Sequence, residues 1–200
     1  MSLAAAYRLW APLYDPVLRR ATAPARRRSL ERLQAEPADD VLLAGVGTGL
    51  DLPHLPTGPR YRGCDITPAM LARATGQRAV SLDCADVQAL PYADAGFDAV
   101  VAHLILAVVP RPAAALAEMS RVTRPGGRIL IFDKFLRPGQ RAPLRRLASP
   151  LLGRLATRTD VVLEELLAER PELVVEADEP ALAGGWFRQI TLRRQPDEAH

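Results

Sequence analysis

The stretch Asp40-Val41-Leu42-Leu43-Ala44-Gly45-Val46-Gly47-Thr48-Gly49-Leu50-Asp51 constrains the chain most, because an apolar run gives way at once to three alternating glycines. Val, Leu and Ala without polar alternation suit a strand buried on both faces, as in a parallel sheet. Glycine supplies the positive φ of a tight turn and lets a ligand approach the main chain. Such a loop at the carboxyl end of a parallel strand is where α/β sheets bind nucleotides. The spacing argues against a dinucleotide: that fingerprint is G-x-G-x-x-G, whereas here the third glycine comes one residue early and Leu50 takes its place. A glycine-rich turn that binds nothing is the plain alternative.

Two hundred residues, 48% of them hydrophobic, suffice for one domain with a substantial core. No run of about 18 apolar residues is present and the N-terminus lacks a charged segment followed by an apolar one, so a cytoplasmic location is expected. Cys64 and Cys84 both fall in apparent strands, which predicts buried, reduced thiols and no metal site. Basic charge comes almost wholly from arginine, Lys134 being the only lysine, and asparagine is absent. That bias weakens arginine as a functional signal, and no nucleic-acid partner is expected. Distribution is more informative: residues 1–34 carry a net +5 and 134–158 a net +7, around a mildly acidic middle. Oligomeric state is not legible.

The chain divides as one domain, 1–200, with an N-terminal helical cap (1–36), a core (37–135), a helical lid or insert (136–160), a C-terminal helix and β-hairpin (161–194) and a tail (195–200). Three prolines between Leu50 and Pro59 allow only a short first crossover helix. Arg60 to Asp65 reads as a strand ending in an acid about twenty residues after the first glycine, where a carboxylate accepts from a ribose diol. Thr67, before Pro68, is the natural N-cap of the next helix. Val80 to Cys84 is a third strand, with Asp83 and Asp86 as rival acids beside it. Phe97 to His103 is a fourth, and His103 at its end is either a general base or a neutral histidine bonded to backbone. A helix follows until Arg124-Pro125-Gly126-Gly127, then a strand from Arg128 to Asp133, whose terminal acid contacts substrate or caps a turn.

Residues 140–158 place Leu144, Leu147, Leu151 and Leu155 on one helical stripe beside Arg141, Arg145 and Arg154. The stripe is a lid over a pocket or an element lying on an anionic membrane. Asp160 would cap a last acidic helix to about Arg170. Glu172 to Asp178 and Trp186 to Arg193 alternate as strands and pair antiparallel around Gly184-Gly185.

The G-x-G-x-G loop resembles motif I of the class I S-adenosylmethionine-dependent methyltransferases. One departure is Leu43, where that family commonly has an acid that contacts the amino-acid end of the cofactor. The tract Gly63-Cys64-Asp65-Ile66-Thr67-Pro68-Ala69-Met70-Leu71 is similar to the family's G-x-D-x-S-x-x-M-L segment, and Asp86 to Tyr92 resembles its D-A-x-x-L-P-F tract. Arg124 to Ile131 looks like its R-P-G-G-R-I-L-I signature. Tyr7-Arg8-Leu9-Trp10-Ala11-Pro12-Leu13-Tyr14-Asp15 resembles the opening of methyltransferases acting on quinones and on phosphatidylethanolamine.

The resemblance implies that Gly45, Val46, Gly47, Thr48, Gly49, Asp65, Ile66, Met70, Asp86, Val87, Ala102 and His103 hold S-adenosyl-L-methionine, whose product is S-adenosyl-L-homocysteine. Asp86 would take the adenine amino group, ahead of Asp83. Tyr7, Trp10, Tyr14 and Asp133 would shape the acceptor pocket, and His103 or Tyr14 would serve as base if one is needed. The fold expected is an α/β three-layer Rossmann-like sandwich, with a seven-stranded mostly parallel sheet in the order 3-2-1-4-5-7-6 and an antiparallel last strand. The function expected is methyl transfer to a small lipophilic or amphipathic acceptor, with peripheral contact to an anionic membrane. A NAD(P)-binding oxidoreductase and a non-catalytic S-adenosylmethionine-binding module are the alternatives.

Overall fold

The computed structural model describes residues 20–136 and 161–196. The chain runs through helix α1 (20–31), then β1 (Asp40–Ala44), a 3-10 turn (Leu52–His54), β2 (Arg60–Asp65), α2 (Pro68–Ala74), β3 (Ser81–Cys84) and β4 (Phe97–His103). It continues through α3 (Pro112–Val122), β5 (Thr123–Lys134), α4 (Leu163–Ala168), β6 (Leu173–Leu182) and β7 (Phe187–Arg194). The seven strands form one sheet in the order β3-β2-β1-β4-β5-β7-β6. β1 to β5 are parallel, and β7 enters antiparallel between β5 and β6.

The period of two in each strand splits the core. Val41, Leu43, Ala99, Val101 and Leu130 face Leu30 of α1, Leu33 just after it and Leu71 of α2. Leu42, Ala44, Val100, Ala102, Ile129 and Ile131 face Leu116 and Met119 of α3 and Leu163 of α4. The unbroken apolar runs are therefore covered on both sides, which makes three layers.

Several boundaries differ from the sequence reading. The three-proline crossover keeps only its 3-10 turn. β5 begins at Thr123, five residues earlier than expected, because the Arg124-Pro125-Gly126-Gly127 tract is taken into the strand as a register shift against Phe97 and Ala99. Helix α4 starts after Val162 without a side-chain cap; Asp160, proposed for that cap, lies outside the described residues. The hairpin strands extend to Leu182 and Arg194 around a turn in which Gly184 has φ +64°. Cys64 is buried as expected, but Cys84 is exposed, since β3 is an edge strand with no neighbour to cover it. Tyr7, Trp10, Tyr14, the leucine stripe of 140–158 and the tail from 197 also lie outside the described residues. Leu136 N–H donates to the Val161 carbonyl, which makes these two residues neighbours.

The two glycines entering β5 have different duties. A Cβ on Gly127 would lie 2.6 Å from the Asp98 carbonyl oxygen and 2.8 Å from that of Arg124, backbone atoms that cannot retreat. At Gly126 φ is +80° and nothing lies within 4 Å. Gly127→Ala is expected to lower the urea-unfolding free energy by about 3 kcal/mol and Gly126→Ala by about 1 kcal/mol. The reverse order would contradict the packing described.

Candidate active site

The glycine loop is set by β2 beneath it. The N–H groups of Gly45 and Val46 both donate to the Cys64 carbonyl, each at 2.9 Å, which bends the chain out of β1. Gly45, Gly47 and Gly49 all have positive φ. A Cβ on Gly45 would meet Ile105 at 2.6 Å and one on Gly49 would meet Leu52 at 2.8 Å, so these two are glycines for packing. At Gly47 the nearest atom is Met70 Sδ at 4.0 Å. Space therefore opens over Gly47, where a ligand can reach the main chain. Gln77 donates to the Thr48 carbonyl at 3.0 Å and steadies the far side of the loop, a contact no sequence pattern announced.

Asp65 ends β2 beside this space, 8% exposed. Its Oδ2 accepts from Gly47 N–H at 3.0 Å and its Oδ1 from Thr67 N–H at 2.8 Å. Each oxygen retains capacity for a further donor such as a ribose hydroxyl. Thr67 does occupy the N-cap of α2 but makes no side-chain cap, and the Asp65 carboxylate meets its N–H instead. Ile66 next to it is 64% exposed, an apolar platform at the lip of the site. The rival acids have different partners. Asp83 is taken by Arg62 at 2.7 Å and by the Tyr92 hydroxyl at 2.9 Å. Asp86 lies on the loop beyond β3, where its carboxylate accepts from Gln88 N–H at 2.9 Å, and Val87 is buried.

A buried polar chain that sequence reasoning missed lies at the end of β4. His103 Nδ1 is 2.8 Å from Asp51 Oδ1, and Arg26 Nη1 donates to Asp51 Oδ2 at 2.8 Å. The other ring nitrogen, Nε2, is 2.9 Å from the Ser29 hydroxyl, and Arg26 Nε donates to Thr22 Oγ1 at 3.1 Å. Burial by itself pushes the Asp51 carboxyl up, but the Arg26 guanidinium and the His103 ring hold it well below the usual carboxylate range. With Asp51 ionised, Nδ1 carries the proton toward it. The His103 ring is fully buried, with both nitrogens within hydrogen-bond distance of side chains. The one available signal was an acid set between Leu50 and Leu52 immediately after the loop. Leu43 is packed in the core, so the end of β1 offers no carboxylate.

Asp133 is the penultimate residue of β5, on the opposite face of the sheet and 1% exposed. Its Oδ2 accepts from Ala107 N–H at 3.0 Å and its Oδ1 from Lys134 N–H at 2.8 Å, which braces the loop after β4. Among the described residues no group of three His, Cys, Asp or Glu is placed to hold a metal ion. A cavity of about 560 Å³ lined by Asp40, Arg60, Arg62 and Tyr92 lies at the opposite, amino end of the strands, away from the glycine loop.

Burial pushes the Asp133 carboxyl up to about 6, despite the backbone N–H groups that favour its charged form. An unfolded carboxyl titrates near 3.8. Between these values the folded protein holds more protons, so this group's contribution to stability falls as pH rises through the window and then levels off. Asp133→Asn lacks the effect. Urea unfolding at pH 4, 5, 6 and 7 should show the difference between the two proteins moving in the variant's favour by on the order of 2 kcal/mol. A difference that stays constant with pH would remove the assignment.

Comparison with known proteins agrees with this geometry. A family model described as "Methyltransferase domain" matches residues 42–131. Phosphatidylethanolamine N-methyltransferase of Cereibacter sphaeroides is 33% identical over 197 residues, covering 94% of this chain and 96% of that protein. Demethylmenaquinone methyltransferase of Beutenbergia cavernae is 38% identical over 110 residues, which is 54% of this chain and 46% of the relative. A chain of the complex between the Haloferax volcanii Trm112 methyltransferase activator and a methyltransferase superposes with a TM-score of 0.79 at 18% identity, with full coverage of both. The geranyl diphosphate C-methyltransferase of Streptomyces coelicolor A3(2) gives 0.70 at 18% identity, over 86% of this chain and 80% of that one. These two likenesses show the fold. The near full-length relative shows the family, and the protein belongs to the class I S-adenosylmethionine-dependent methyltransferases.

Proposed function

We propose that the protein methylates a lipophilic or amphipathic small molecule, with a phospholipid amine as the first choice. The observation that carries this reading is the identity to a phosphatidylethanolamine N-methyltransferase along 94% of the chain. The quinone-directed relative matches over only about half of each chain. Family membership sets aside the oxidoreductase and non-catalytic alternatives.

The residues at the site fit S-adenosylmethionine. Asp86 and the N–H of Val87 take the adenine edge, Ile66 and Met70 supply apolar contact, and Asp65 accepts from the ribose. Gly45, Val46, Gly47, Thr48 and Gly49 form the floor, and Ala102 and His103 close the β4 side. The cofactor's sulfonium supplies a methyl carbon that is electrophilic without help. The chain's own work is then to hold donor and acceptor in line and to exclude water. His103, held by Asp51 and Ser29, orients the β4 end rather than taking a proton. Asp133 shapes the acceptor side by bracing the loop at Ala107. Tyr7, Trp10 and Tyr14 are proposed for the acceptor pocket, with the basic blocks 1–34 and 134–158 meeting an anionic membrane surface. No described helix is long and apolar enough to cross a membrane.

The acceptor is tested with tritiated S-adenosylmethionine and vesicles containing phosphatidylethanolamine, against a demethylated naphthoquinol in parallel. Label is expected in the phospholipid; label only in the quinol would move the acceptor class, and label in neither would overturn the reading. Asp65→Ala should weaken S-adenosylhomocysteine binding by about 1.5–3 kcal/mol, the scale of a hydrogen bond to a charged group. Unchanged affinity in calorimetry would sink that role. Gly47→Val, which fills the open space, should abolish binding while leaving the far-UV circular dichroism spectrum near native.

A further inference from the structure

Strand order arranges the site residues in a line. Asp86 follows β3, Asp65 ends β2, the glycine loop leaves β1, and His103 ends β4, and these strands are neighbours in that order. A cofactor with its adenine at Asp86 and its ribose at Asp65 points its remaining atoms past the glycine loop toward β4. Adjacent strands are about 4.8 Å apart, so the β1–β4 crevice lies about 7 Å, one and a half spacings, from the end of β2 where the ribose sits. The far end of S-adenosylmethionine is an α-amino acid, an ammonium and a carboxylate on one carbon. Both charges need counterparts if they are to leave water.

The described residues place one buried ion pair at that crevice. Asp51 follows the last glycine of the loop by two residues and is bonded to His103 of β4, and Arg26 reaches it from α1. Side-chain exposures of 7% and 8% keep both groups out of bulk water. Neither is saturated. The Asp51 oxygens accept one hydrogen bond each, from His103 and Arg26, and an ionised carboxylate has about four acceptor sites. Arg26 donates from Nε and Nη1, and its Nη2 makes no hydrogen bond to the described residues. His103 and Ser29 hold Asp51 in place from behind.

We infer that the Arg26–Asp51 pair receives the zwitterionic amino-acid end of the cofactor, Asp51 accepting from the ammonium and Arg26 donating to the carboxylate. This rests on the cofactor reading above, and it makes α1 part of the binding site. Bound cofactor would then be gripped between the first helix and the glycine loop, with both of its charges matched at one end and its uncharged adenine and ribose meeting the Asp86 and Asp65 carboxylates at the other.

Calorimetry with two ligands separates this role from a structural one. S-adenosylhomocysteine carries the amino-acid end, and 5′-methylthioadenosine lacks it while keeping adenine and ribose. Asp51→Asn is expected to weaken S-adenosylhomocysteine at least tenfold and to change 5′-methylthioadenosine less than twofold. Equal losses on both ligands, or no loss on either, would overturn the inference. If far-UV circular dichroism shows that Asp51→Asn does not fold, Arg26→Lys carries the same comparison. It keeps a cation beside Asp51 but removes the second edge of the guanidinium, and the same selective loss is expected. Wild-type protein that binds neither ligand would instead overturn the cofactor reading itself.

Discussion

A carboxylate taken out of water has to be met by charge, and the placement of Asp51 between Arg26 and His103 is where this structure meets that requirement. Desolvation of such a group costs several kcal/mol, and the pair offsets that cost only while both partners keep their geometry. The requirement ties three parts of the fold together. Arg26 and Ser29 belong to the first helix, Asp51 to the turn after the glycine loop, and His103 to the end of the fourth strand. Removing one partner leaves a buried charge alone, which typically costs about 3–5 kcal/mol. The first helix therefore has a specified position over the sheet, beyond what the apolar contacts of Leu30 and Leu33 would impose.

The glycine loop depends on a different constraint, the single carbonyl of Cys64 that receives two N–H groups. It turns the chain out of β1 over β2 and brings Gly47 to the Asp65 carboxylate. Side chains at Gly45 and Gly49 would strike Ile105 and Leu52, whereas the space at Gly47 is left for a ligand. Three glycines that look equivalent in sequence thus divide into two that serve packing and one that serves access. The sheet order sets Asp86, Asp65, the glycine loop and His103 at four neighbouring strand ends, each on a short segment.

The same loop illustrates how far local pattern reaches. The buried strands, the antiparallel final hairpin and the carboxylate at the end of β2 were legible, because apolar runs, glycine spacing and alternation are local signals with fixed periods, whereas the strand order came from the family resemblance. Boundaries were less so. The Pro125-Gly126-Gly127 tract reads as a break, yet it is absorbed into β5, because Gly127 fits against the Asp98 carbonyl where no larger residue can. Asp83 and Asp86 could not be ranked by spacing, and their partners, Arg62 and Tyr92 for Asp83 and Gln88 for Asp86, are visible only in the fold.

His103 shows most directly what lies beyond the sequence. Its position at a strand end left a base and a neutral histidine bonded to backbone both open, and nothing near it in the chain named its partners. Its partners are Ser29 and Asp51, 74 and 52 residues away, and they enclose the ring on both sides. Sequence by itself determined the class of fold, the glycine loop after β1 and the acid beside it, since each is written in consecutive residues. Tertiary structure decided which buried charges face each other, because an ion pair has no period and no spacing rule. Arg26, Asp51 and His103 become a set only when the parallel sheet brings the end of β4 beside the loop from β1 and the first helix closes over both.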